Sequence, residues 1–145
     1  KVALGYPTEQ EENAILLRFE REDPLENLQP VMRAEDWLTL REAARRVRVE
    51  ESVRGYVVRI VRATREHSAV MLGASPRGTL ALYHMAQALA AIRGREFVLP
   101  DDVKYLAPFV LGHRIIISSQ TRLRGRRPEQ ILAEIVESVP VPVEQ

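Results

Sequence analysis

The 145-residue chain contains no cysteine, which excludes disulfides, thiolate catalysis and cysteine-based zinc sites. Long apolar runs are missing as well. No stretch of about eighteen apolar residues and no basic-then-apolar leader occurs, so neither a membrane span nor secretion is expected and the cytoplasm is the expected compartment. Lysine is scarce: of 21 basic residues only Lys1 and Lys104 are lysines. An arginine bias suits bidentate pairing with carboxylates or phosphates, and it equally suits an arginine-biased genome. The formal charge of +1 provides no global field toward nucleic acid. A glycine-rich phosphate loop with Lys and Ser or Thr is absent, and so is an apolar strand ending in paired acids that would hold magnesium. His67, His84 and His113 lack helical i, i+4 spacing and an acidic ligand set, so no metal site is expected. His84 is expected at the core or its boundary, His67 and His113 in hydrogen bonds to backbone. Alone, the chain is expected to hydrolyse nothing.

What is present reads as helix. With 46% hydrophobic and 28% charged residues the composition is that of a globular protein, and the length suits one domain with a real core. Thr8 and Glu11 form a Thr-x-x-Glu capping box, followed by the apolar Ile15, Leu16 and Phe19 and stopped at Asp23-Pro24. A polar loop follows to Pro30. A second helix from Ala34 carries Trp37, Leu40, Ala44 and Val47 at intervals of three and four. A third, from about Glu51, turns Val53, Val57, Ile60, Val61 and Thr64 inward, and the short link predicts that the two pack antiparallel or cross steeply.

The fourth helix, Pro76 to about Arg93, carries the apolar band Leu80, Tyr83, Met85, Ala86, Leu89, Ala90 and Ile92, with Gly94 as its C-terminal cap. Pro100-Asp101-Asp102 opens a fifth through Val103, Leu106, Ala107, Val110 and Leu111, in which Pro108 should introduce a kink. The two acids read as helix capping rather than as an acid/base pair. Val47-Arg48-Val49 and Ile115-Ile116-Ile117 are candidate minimal strands, and Ser118 to Arg127 reads as a polar loop whose Arg122, Arg124, Arg126 and Arg127 suit first a solvated turn, then an acidic partner surface, and last nucleic acid. A last helix opens at Pro128-Glu129, carries Ile131, Leu132, Ile135, Val136 and Val139, and ends at Pro140 and Pro142. The expected fold class is mainly α, a bundle of about six helices with at most minimal β.

Gly73-Ala74-Ser75-Pro76-Arg77 organises the chain. Ser75 can cap the fourth helix and Pro76 suits its first position, which places Arg77 where the macrodipole is already positive. A cation gains there if an anion comes to meet it. An exposed arginine in an ordinary helix start, or one paired with a glutamate, is the alternative.

Around that stretch lie Ala63-Thr64-Arg65-Glu66-His67 on one side and Ala88-Leu89-Ala90-Ala91, Gly94-Arg95, Val98-Leu99-Pro100-Asp101-Asp102-Val103 and His113-Arg114-Ile115 on the other. In that order and spacing the run resembles the C-terminal part of the MoxR family of AAA+ ATPases, related more distantly to the magnesium-chelatase ATPase subunit. Gly5-Tyr6-Pro7 followed by Glu11-Glu12 resembles the family's junction between core and helical lid. The resemblance covers nearly the whole chain. It departs at Gly78, where the family often has a better helix former, and in the lack of a nucleotide-binding core.

The resemblance implies that residues 1–7 are the torn end of a core strand with its junction and residues 8–145 a C-terminal lid domain. It assigns Arg77 as the second sensor arginine, which contacts the γ-phosphate of ATP and couples its loss to lid rotation. Ser75 and Arg77 would then lie at the phosphate, with Tyr6 and Pro7 lining the base pocket. It further implies ATP and Mg2+ as cofactors of a longer parent, none tightly bound to this fragment. The implied partners are its own AAA+ core, a homo-hexameric ring and a von Willebrand A-domain protein, in a chaperone-like remodelling or maturation role. An independent helical nucleic-acid-binding or adaptor module is the other reading. The acids 35, 36, 50, 51 and 66 interrupt the continuous basic face that nucleic-acid binding would require.

Overall fold

The computed structural model describes residues 4–20 and 23–142, so residues 1–3 of the expected strand end lie outside the described residues. Contacts divide the chain into two units, one up to Leu38 and one from Thr39 onward. Among the described residues there are seven α-helices, one 3-10 turn and a two-stranded sheet, which makes the fold mainly α.

In the first unit, α1 (Glu9–Phe19) begins with the expected capping box. The Thr8 N–H donates to Glu11 Oε2 at 2.7 Å and the Glu11 N–H to Thr8 Oγ1 at 3.4 Å. Asp23 Oδ1 accepts from the Leu25 N–H and starts the 3-10 turn Pro24–Asn27 within the stretch expected to be loop. No residue of α1 is buried, so Ile15, Leu16 and Phe19 form an apolar face that stays exposed. The division between units falls inside α2 (Ala34–Arg45), which likewise buries nothing. Trp37 and Leu40 of its expected stripe are exposed, and only Val47, just past its end, is buried.

The second unit is built on α3 (Glu51–Glu66), α4 (Pro76–Ile92), α5 (Pro100–Leu111) and α7 (Pro128–Ser138). The third helix, α3, packs on α4, α5 and α7. It buries all five residues expected inside, together with Tyr56. The faces of α5 and α7 bury every apolar residue assigned to them by period, and α5 runs through Pro108 without ending. Each large apolar side chain buried here contributes about 1.5–3 kcal/mol, so these faces hold the unit together.

The inward face of α4 differs from the expected band. Gly78, Leu82, Ala86, Gln87 and Ala90 are buried, whereas Leu80, Met85 and Ile92 are exposed and Leu89 is only partly buried. Gly78, Leu82, Ala86 and Ala90 recur at i, i+4, and the glycine and alanines among them let α5 approach closely; the hydrophobic size of the residues does not decide the face. Gln87 was not singled out by sequence, yet its Nε2 donates to the carbonyls of Arg45 and Val47 at 3.0 and 2.8 Å, satisfying the backbone as α2 ends. His84, expected near the core, is exposed and meets Gln87 Oε1 through Nδ1 at 3.1 Å. His67 Nδ1 accepts from the Ala69 N–H, the backbone bond expected of it.

Two further features depend on distant segments. The strand β1 (Val70–Leu72) pairs antiparallel with β2 (Ile116–Ile117), and Arg48 bridges Phe97 in parallel. The stretch from Ser118 is not all loop: Ser118 caps a short α6 (Ser119–Leu123) anchored by the buried Thr121. Among the described residues no helix is long and apolar enough to cross a membrane.

Candidate functional site at the start of helix α4

The entry into α4 is tied to the end of α3. Thr64, fully buried, donates its hydroxyl to the Val61 carbonyl at 2.6 Å and accepts from the Ala74 N–H at 3.0 Å. Arg65 Nε donates to the Ala74 carbonyl at 2.8 Å. Both backbone groups of Ala74 are thereby satisfied by two consecutive residues of α3, which is the physical content of the Ala63-Thr64-Arg65 pattern. Gly73 makes the approach possible: a Cβ there would lie 2.7 Å from Arg65 Cα and 2.8 Å from Arg65 N, backbone atoms of a helix that cannot yield. Gly73→Ala is therefore expected to destabilise the fold by about 1–3 kcal/mol, read as a lower midpoint in thermal circular dichroism. A midpoint equal to the parent's would show that the two segments can separate at no cost.

From this anchor the chain turns into α4. Ser75 is the N-cap in extended conformation and Pro76 the first helical residue, but the Ser75 hydroxyl makes no capping hydrogen bond. The Gly78 N–H instead donates to the Ser75 carbonyl at 2.8 Å. Gly78 is buried because α5 crosses there; a Cβ would lie 3.3 Å from Leu111 Cδ2 and 3.7 Å from Arg114 Cδ. The close crossing accounts for a poor helix former at this position. Arg77 is exposed and makes no ion pair or side-chain hydrogen bond among the described residues.

Its electrostatic setting differs from that of the other long helices. The described helices α1, α2, α3, α5 and α7 each carry at least one acidic residue in the first turn. The first turns of α4 and of the short α6 have none. A helix start is positive by its unpaired N–H groups and macrodipole, and here an arginine adds to that charge with no carboxylate to offset it. Ser75 and Arg77 are thus brought together, while Tyr6 and Pro7 belong to the first unit, where both are exposed.

A second ionic cluster lies at the turn from α4 to α5. The Asp102 carboxylate is buried, with 1% of its side chain exposed. It accepts from Arg95 Nη1 at 2.8 Å and Nη2 at 2.6 Å, from Arg93 Nη1 at 3.0 Å and from the Leu99 N–H at 2.9 Å. Burial by itself would raise this carboxyl, but the Arg95 hydrogen bonds, the Leu99 N–H and the charges of both arginines outweigh it and hold it below the usual carboxylate range. Asp102 caps α5 as expected, and the arginine fork was the part sequence reading missed. Its four acceptor interactions leave no lone pair for acid/base chemistry. No group of three or more His, Asp or Glu among the described residues is placed to hold a metal ion.

Comparison with known proteins gives these features a setting. Residues 62–135 match the AAA lid domain family, a span that begins in α3, contains the Gly73–Arg77 corner and ends in α7. The uncharacterized protein YeaC of Bacillus subtilis is 42% identical over all 145 residues, which cover 45% of that protein. Chaperone MoxR1 of Mycobacterium tuberculosis is 33% identical over 98% of this chain and 40% of its own length. The crystal structure of a candidate ATPase from Cytophaga hutchinsonii superposes with a TM-score of 0.82 at 29% identity, covering 97% of this chain and 45% of that one. The chain thus spans a little under half the length of these relatives. With the lid model spanning α3 to α7 and MoxR proteins among its relatives, the chain belongs to the AAA lid domain family and is the lid region of a MoxR-like AAA+ protein.

Proposed function

We propose that the chain is the nucleotide-sensing lid of a longer MoxR-like ATPase, in which Arg77 contacts the γ-phosphate of ATP and couples its loss to a movement of the lid. The observation that supports this most is the first turn of α4: an exposed arginine without a partner among the described residues, at a described helix start with no acidic residue. A charge that touches only the last phosphate binds ATP and ADP differently, and differential contact is what shifts an equilibrium between two arrangements. The anchoring of Ala74 by Thr64 and Arg65 would pass a pull on Arg77 directly to α3 and the core.

The residues fit a phosphate contact and no more. ATP supplies the transferable phosphoryl group and Mg2+ neutralises its charge, and the described residues offer them no phosphate loop and no acidic cluster. The grip on the α- and β-phosphates and on Mg2+ belongs to the parent's core, for which residues 1–7 are the proposed junction, with Tyr6 and Pro7 at the base. Assembly into a homo-hexameric ring, a von Willebrand A-domain partner, a chaperone-like remodelling role and a cytoplasmic location complete the proposal. The purified chain is accordingly expected to show no Mg2+-dependent ATP hydrolysis above background, while the full-length parent hydrolyses ATP. Turnover by the isolated chain would overturn the reading of it as a lid.

A further inference from the structure

Arg122, Arg124, Arg126 and Arg127 fall within six residues where α6 gives way to α7. Arg126 pairs with Glu134 of α7. The side chains of Arg122, Arg124 and Arg127 are exposed and make no ion pair or hydrogen bond among the described residues. Between the first two, Leu123 leaves 88% of its surface in solvent.

The turn that carries them is well held. Ser118 Oγ accepts from the Thr121 N–H at 3.2 Å, and Thr121 is buried. The Gly125 N–H donates to the Arg122 carbonyl at 2.9 Å and the Arg126 N–H to the Thr121 carbonyl at 3.3 Å. Gly125 adopts φ 75°, a conformation side chains disfavour. On the far side the Arg127 N–H donates to Gln130 Oε1 at 2.8 Å and fixes the start of α7. Three free guanidinium groups and a leucine are therefore displayed on a preformed backbone, which lowers the ordering cost of binding.

We propose that this turn is a docking surface for an acidic protein segment, whose carboxylates meet Arg122, Arg124 and Arg127 and whose apolar side chain packs on Leu123. Guanidinium forks match carboxylates bidentately, and Arg126 already takes one in the same turn. A segment of protein carries carboxylates and apolar groups side by side, as this surface requires. A nucleic-acid backbone calls for a continuous basic track, and Glu129, Glu134 and Glu137 interrupt one immediately along α7. An anionic membrane surface calls for an apolar face, and a single leucine is not one. The inference is independent of Arg77 and of nucleotide.

The test is fluorescence anisotropy of the 145-residue chain with a short labelled peptide of repeating Glu-Glu-Leu-Glu, set beside the same peptide with Ser in place of Leu, a labelled duplex DNA and phosphatidylserine vesicles. The leucine-containing peptide should bind at low salt and weaken as salt screens the charges. Combined Arg122→Glu, Arg124→Glu and Arg127→Glu should lower its affinity roughly ten-fold or more. Leu123→Ala should weaken the leucine peptide and leave the serine peptide unchanged, because only the former loses a contact. Arg124→Gln alone, at a side chain with no partner among the described residues, should move in the same direction and serves if the triple variant does not fold. Three results would overturn the proposal: no peptide binding at low salt, parental affinity in the variants, or tighter binding of DNA or vesicles that the same substitutions abolish.

Discussion

Arg77→Ala in the full-length protein is expected to lower ATP hydrolysis on the order of a hundred-fold, with stability within about 0.5 kcal/mol of the parent's. The stability expectation comes from the geometry, the hydrolysis expectation from the proposed phosphate contact. The side chain is exposed, makes no ion pair or hydrogen bond among the described residues, and stands in a first turn without an acid, so its removal breaks nothing in the fold and relieves a charge opposed to the dipole. A guanidinium aimed at a transferring phosphoryl group stabilises the charge that develops there, and that effect disappears with it. Arg77→Lys should restore part of the rate, because an ammonium keeps the charge and loses the planar fork. Affinity for ATP should fall more than affinity for ADP, since only ATP has the phosphate that the proposal assigns to Arg77. Steady-state hydrolysis and nucleotide titrations on the parent, Arg77→Ala and Arg77→Lys decide it. A parental rate with a parental preference for ATP over ADP would leave Arg77 as no more than a residue of the helix start, with the family assignment untouched.

Asp102→Ala should be the more damaging substitution for the fold, lowering stability by about 3 kcal/mol, toward the lower end of the range for a broken buried ion pair. The lower end applies because the two guanidinium groups left behind differ in exposure: Arg95 is 21% exposed and Arg93 46%, so Arg93 can return to water. Arg95 and the Leu99 N–H cannot do so as readily, and α5 loses the carboxylate that accepts from its N-cap. On a domain of this length the change corresponds to a midpoint lower by roughly 10 °C in thermal circular dichroism. Asp101→Ala, at an exposed position one residue earlier, should cost far less. The sign of the pH dependence follows from the lowered carboxyl. Its stabilisation is fully present above the unfolded value near about 4 and is lost as pH falls through the lower folded value. The gap between the parent and Asp102→Asn should therefore close in acid and stay open at neutral pH. A gap unchanged into strong acid would mean that the carboxylate charge is not what holds the α4–α5 corner.

Much of the local chemistry whose cause lies within one helical turn was legible without coordinates. The Thr8–Glu11 box, the proline starts at 76, 100 and 128, the inward faces of α3, α5 and α7, and the placement of Arg77 at a helix start all follow from residues three or four apart. Sequence determined these because caps, proline and apolar period act through neighbours on the same helix. Tertiary structure decided what depends on other segments. The inward face of α4 is Gly78, Leu82, Ala86 and Ala90 because α5 packs on that side, with Leu111 Cδ2 3.3 Å from where a Gly78 Cβ would stand, while Leu80 and Ile92 face away from it. Two- and three-residue strands carry no period, and β1 and β2 exist only because Val70 and Ile117 are brought together. The Arg95 fork on Asp102 forms only after the chain turns between α4 and α5. That the Ser75 hydroxyl does not cap, although the residue occupies the N-cap position, shows the same division: the residue type places the helix start, and the packing of Gly73 and Ala74 on α3 fixes how it is held.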